Sequence, residues 1–334
     1  MYYKSNLIGL SALSLLFFLY NRSAEVEIER AVLVDIDTAI VASEPDASCL
    51  EMVRTRYGSK LHLEWNDILS GLGLTEHDLD LTDADNLALL NNDVLLGYRD
   101  PFGVIDRAWS LITKIYGCAE VVKEHVGVGE IGDFSVEIAR LLRDTLEKCG
   151  VASERVVLCD QSLMRQKSSM EQSPFAVYTD RTTPDKHYLF VNRDICSDVN
   201  MRLSAEKMLY HDGYGIEAHN LLEHLLRHEA SHIFYNEILL QSLLQRKLIK
   251  KIQHELQFLV IDRKQAEAGL QQLKKTFYAL NSFYEKRADI LACLSGPDPL
   301  GYAQYMLNNV ADGLYAYRKS ADWYELIADL NSCS

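Results

Sequence analysis

Residues Leu221 to Glu237 read LLEHLLRHEASHIFYNE and set His228, Glu229 and His232 in the pattern H-E-x-x-H. On a helix, residues i and i+4 lie one turn apart on one face, so His228 and His232 bring two imidazole nitrogens to one point. Two imidazoles so placed suit a divalent metal ion, zinc first among them. Glu229 falls about 100° round the helix, beside such an ion rather than on it. A carboxylate there takes the proton of a water that the metal has made more acidic, which is hydrolytic chemistry. His224 sits one turn earlier on the same stripe. The competing reading is therefore an ordinary polar helix face that happens to be rich in histidine.

A catalytic zinc takes three protein ligands and keeps one position open. The extended form HExxHxxGxxH needs Gly at 235 and His at 238, where this chain has Tyr235 and Ile238. A carboxylate from a later helix is the other common solution. The run YEKRAD carries Glu285 and Asp289 at i and i+4, on one helical face. One of them can ligate while the other accepts the free N–H of a ligand histidine. Two rivals remain: Glu255, beside His254, as ligand, or a solvated Glu285/Asp289 pair salted by Lys286 and Arg287.

HExxH followed by Glu285-x-x-Ala288-Asp289, with PFAVYT and HYLFVN before them, resembles the HtpX/CAAX-prenyl-protease-like zinc metallopeptidases, a gluzincin family. Ser173-Pro174-Phe175-Ala176 stands where that family has an NAFA-like run, with Ser for the usual Asn. The likeness covers about residues 133–315 and has specific motifs at two points. It implies a zinc endopeptidase with one Zn2+ per chain, ligands His228, His232 and Glu285, Glu229 as base and Asp289 behind a ligand histidine. The substrate it implies is a protein or peptide. Integral-membrane members have spanning helices around the HExxH helix; this chain has none there and resembles the soluble or singly anchored members. Many members carry a downstream His and Arg that assist the transition state, yet no His follows His254 here. His224, Tyr302, Tyr305 and Arg318 are the candidates for that role.

The elements that must position these groups read as an α+β fold, mostly helical. Three strand-like runs at 155–160, 174–179 and 187–192 predict a small antiparallel sheet packed on the HExxH helix and on a second metal-ligand helix. A helix over 133–148 ends near Gly150, and long amphipathic helix follows the HExxH segment, with a break at Gly296-Pro297. The expected organisation is a signal or anchor over 1–24, a helical region of unknown role over 25–125, and a metallopeptidase domain over 126–334. The run 81–98 predicts a helix opened by Thr82 as N-cap. Asp78, Asp80, Asp83 and Asp85 lack the Gly and Glu register of a calcium loop and read as helix-capping acids. Gly127, Gly129 and Gly132 form a GxGxxG, but Lys123, Glu124 and His125 spoil the buried strand that a dinucleotide site needs before it.

Leu7 to Tyr20 is an uncharged apolar run, short for a membrane span and suited to a secretory signal or single N-terminal anchor covering residues 5–20. That predicts export, to a periplasmic or other extracytoplasmic space. A net charge of −14 argues against nucleic acid as partner. The 7 cysteines include no CxxC pair, so a cysteine metal site is not expected, while some of them can pair in an exported protein. A zinc-containing chaperone or scaffold of the same fold, without hydrolysis, is the alternative to a peptidase.

Overall fold

A computed structural model describes residues 46–91, 136–160, 175–179, 183–192, 216, 218–258, 261–311 and 320–333. The N-terminal apolar run, the GxGxxG and Arg318 lie outside the described residues. The helices are α1 (Ala47–Gly71), α2 (Ala84–Asn91), α3 (Val136–Lys148), α4 (Ala218–Phe234), α5 (Glu237–Gln257), α6 (Arg263–Ser295), α7 (Pro299–Ala311) and α8 (Ser320–Asn331). The strands are β1 (Val156–Asp160), β2 (Phe175–Thr179) and β3 (His187–Val191). The fold is α+β and mostly helical, as the sequence pattern implies. No described helix is long and apolar enough to cross a membrane.

The sheet is mixed, with order β1-β3-β2, rather than the expected antiparallel meander. β2 and β3 pair antiparallel, Phe175 opposite Val191, whereas β1 runs parallel to β3, Val156 opposite His187. The cause is hydrophobicity and chain length. All of β3 is buried, so it takes the centre. β1 ends at Asp160 and β2 begins at Phe175, a separation far longer than the tight turn of a hairpin. Strand alternation splits the side chains cleanly. Val156, Leu158, Phe175, Val177, Leu189 and Val191 face one core with Leu222, Leu226, Ala230 and Ile233 of α4. Cys159, Ala176, Tyr188 and Phe190 point to the other face.

α4 is buried on a second face as well. Leu221 joins a second core with Phe283, Tyr284 and Ile290 of α6, Tyr302 of α7 and Trp323 of α8. α1 contributes Val53, Tyr57, Leu61, Trp65 and Leu69 to that same core, one residue per turn along a single face. The region ahead of the sheet, read from sequence as having no known role, thus shares its core with the helices that carry the candidate site. A disulfide between Cys49 and Cys333 joins the start of α1 to the C-terminal end of α8.

The acid cluster caps as expected, with one change of residue. Asp83, not Thr82, opens α2: its Oδ1 accepts the N–H groups of Asp85 and Asn86 at 3.0 and 2.9 Å. Thr82 instead donates its N–H and hydroxyl to Asp80 at 2.8 and 2.7 Å. Asp78 accepts from Thr75 in the same manner.

Candidate metal centre

His228 and His232 are held by the burial of α4 on both flanks, so that their stripe faces α6. α6 supplies Glu285 and Asp289 one turn apart, 4% and 1% exposed. A solvated acid pair is therefore excluded. Ala288 between them is fully buried, and a small side chain there lets helices approach closely.

The imidazole Nε2 atoms of His228 and His232 are 3.1 Å apart, and Glu285 Oε2 stands 3.5 Å from His228 Nε2. The three donor atoms lie within 4.8 Å of one another. Donors held about 2.0–2.1 Å from a tetrahedral ion stand about 3.3 Å apart, close to the separations of His228 from His232 and from Glu285. The outward nitrogens reinforce the point. His228 Nδ1 is 2.7 Å from Asp289 Oδ1, and His232 Nδ1 contacts Glu237 Oε2. A carboxylate only accepts, so each Nδ1 carries the proton. Each neutral ring then turns a bare Nε2 lone pair toward the other and toward the Glu285 carboxylate. Three electron-rich atoms converging in a buried space call for a cation, and this buried cluster can hold a metal ion.

Without metal the protons take its place. Burial works against charge on His228, but Asp289 and Glu285 outweigh it and hold its pKa well above the usual histidine range. Burial also opposes charge on His232, and Glu237 overcomes it to raise that pKa too. Glu229 is half-buried; burial raises its carboxyl above the ordinary range, and His228 and His232 only partly offset this. A raised carboxyl suits a group that accepts and returns a proton near neutrality.

Glu237 is the residue that the sequence pattern does not reveal. It is fully buried, its Oε1 accepts the Arg287 Nε–H at 2.8 Å, and the two form an ion pair with Nη2 2.6 Å away. Arg287 is itself buried, with its guanidinium 4.1 Å over the Tyr235 ring. The turn Tyr235-Asn236 makes this possible. Asn236 adopts φ 50°, in the left-handed region that asparagine tolerates, and redirects the chain so that the first residue of α5 meets His232 in the last turn of α4. The available signal was a lone acid just past the helix end, ahead of the apolar run Ile238-Leu239-Leu240.

None of the other candidates is a ligand of the cluster. Glu255 is half-buried near the far end of α5 and does not join it. His224 is fully buried, with Nδ1 2.8 Å from the Ala292 carbonyl and Nε2 against the Asp298 main chain, whose N–H is 3.3 Å away. Burial pushes its pKa down to about 4, so it is neutral and acts as a clip between α4 and the α6–α7 junction. Tyr302 stacks on His224 with ring centres 4.4 Å apart, and Tyr305 stacks on Tyr302 at 6.1 Å. These contacts give His224 and Tyr302 structural work. Comparisons with models of known protein families, with curated proteins and with solved structures return no match.

Proposed function

We propose that the chain is a zinc-dependent endopeptidase. The observation that carries the reading is the convergence of His228, His232 and Glu285 within 4.8 Å of one another, with the Glu229 carboxylate on the helix of the two histidines. Two histidines and one glutamate form a common ligand set of catalytic zinc in peptidases, and i, i+4 spacing on a helix is its usual scaffold. The likeness to HtpX/CAAX-prenyl-protease-like metallopeptidases points the same way.

When bound, zinc supplies Lewis acidity, acidifying a water and polarising a carbonyl. His228 and His232 direct their Nε2 lone pairs inward because Asp289 and Glu237 hold their Nδ1 protons outward. Glu285 brings the one negative charge of the ligand set. Glu229 takes the proton of the attacking water on a carboxylate oxygen and returns it to the departing amine nitrogen. β2 packs against α4 and lies at an edge of the described sheet, a position where an extended peptide can add as a strand. The Cys49–Cys333 disulfide supports an oxidising, extracytoplasmic compartment.

The test is metal analysis of the purified protein together with hydrolysis of an unfolded protein substrate by wild type and Glu229→Gln. The expected result is about one zinc per chain in both, with hydrolysis only in wild type. Metal in both without hydrolysis in either would favour a structural zinc in a chaperone or scaffold.

A further inference from the structure

The α5–α6 hairpin differs in charge from the rest of the molecule. Residues 247–275 hold seven basic residues against three acidic ones, in a chain of net charge −14. α5 runs out to Gln257, and α6 returns from Arg263. The seam between them is buried at Ile249, Gln253 and Ala266, and Gly269 packs closely on Ile252. The outward face of α5 carries Lys250, Lys251 and His254, all exposed and spaced to lie together. That stripe ends at Phe258, which is 62% exposed and belongs to none of the hydrophobic clusters described above. Arg263 and Lys264 are exposed where the chain turns back.

The acids do not cancel this pattern. Asp262 is occupied as the N-cap of α6, receiving the Gln265 N–H at 2.9 Å, and Glu267 pairs with Arg263 at 3.0 Å. Glu255 is half-buried.

We propose that the tip of the α5–α6 hairpin docks on an anionic lipid surface, with Phe258 seated among the acyl chains and Lys250, Lys251 and Lys264 among the headgroup phosphates. An aromatic ring at an apex with amines set behind it matches the depth profile of a bilayer interface. A flat acidic protein would match the amines and leave the ring in water. This inference stands apart from the peptidase reading and needs no metal.

The test uses the full chain with vesicles of phosphatidylcholine, alone or mixed with phosphatidylglycerol. Hydrogen–deuterium exchange is read over peptides spanning 250–264, alongside co-sedimentation. The expected result is slowed exchange across the tip only with phosphatidylglycerol. Phe258→Asp removes this protection, and the pair Lys250→Glu with Lys251→Glu weakens vesicle binding by about tenfold or more. Unchanged exchange in α4 shows that the variants are folded. Co-sedimentation without protection over 250–264 would place the contact on another segment and overturn the proposal. Equal protection by soluble heparin, or protection that survives Phe258→Asp, would also overturn it, leaving a polyanion-binding face.

Discussion

Glu237 accepts the Nδ1 proton of His232 across the turn that ends α4, and Arg287 holds Glu237 from its other oxygen. Glu237→Gln removes the negative charge that fixes the tautomer of His232 and strengthens it as a ligand. Loss of such a partner weakens metal affinity by about 10–100-fold. A metal titration of the two proteins measures it, and equal affinities would show that His232 does not depend on Glu237. Arg287→Met acts on the same link from behind. It strands a buried carboxylate, at about 3–5 kcal/mol, and should lower the denaturation midpoint as well as the affinity.

Asp289 stands to His228 as Glu237 stands to His232, at 2.7 Å. Asp289→Asn should weaken metal affinity by about 10–100-fold while leaving the fold largely intact. The alternative of a surface ion pair, worth little, is already excluded by burial of the carboxylate at 1% exposure. A variant that bound metal as tightly as wild type would mean that the His228 tautomer is set elsewhere.

Gly296 is a glycine for reasons of space. Its φ of −82° is ordinary, but a Cβ there would lie 2.1 Å from the His224 ring. Gly296→Ala must push His224 off its backbone partners at Ala292 and Asp298. Such overpacking costs about 1–3 kcal/mol, read as a lower denaturation midpoint. Adding His224→Ala empties the ring's place, so the double variant should be more stable than the sum of the two single changes predicts. Strict additivity would rule out this clash.

The helices that carry the site were legible because their signals are local. HExxH spacing, the Gly296-Pro297 break and the Glu285/Asp289 pair each depend on residues within one or two turns. Sheet order was not legible, since a parallel β1–β3 pair depends on a long connection that no short-range pattern encodes. Glu237 was missed for a similar reason: its role rests on the left-handed Asn236, which swings it back on His232. His224 looked like a member of the metal stripe because helix periodicity cannot show that the Ala292 carbonyl occupies its Nδ1. The place of α1 in the core was also hidden. Its stripe from Val53 to Leu69 shows that one face is buried, but not which helices bury it.

Among the described residues, two buried histidines outside the metal cluster make stability depend on pH in a defined window. Burial pushes both His187 and His224 down to about 4, from 6.5 in an ordinary setting. Between these values the unfolded chain binds protons that the folded chain refuses, so stability is present above pH 6.5 and lost as pH falls toward 4. Each group contributes at most about 1.4 kcal/mol per pH unit. His228 and His232 act in the opposite sense in the metal-free chain. Their raised pKa values give stability that is present below 6.5 and lost as pH rises through the folded values. The two effects are separable by variant. Denaturant midpoints of the metal-free chain between pH 5 and 6.5 should fall less steeply in His224→Gln than in wild type, because the glutamine has no proton to gain on unfolding. Identical slopes would mean that His224 already exchanges its proton freely in the folded protein, and the clip between α4 and the α6–α7 junction would have to be reassigned.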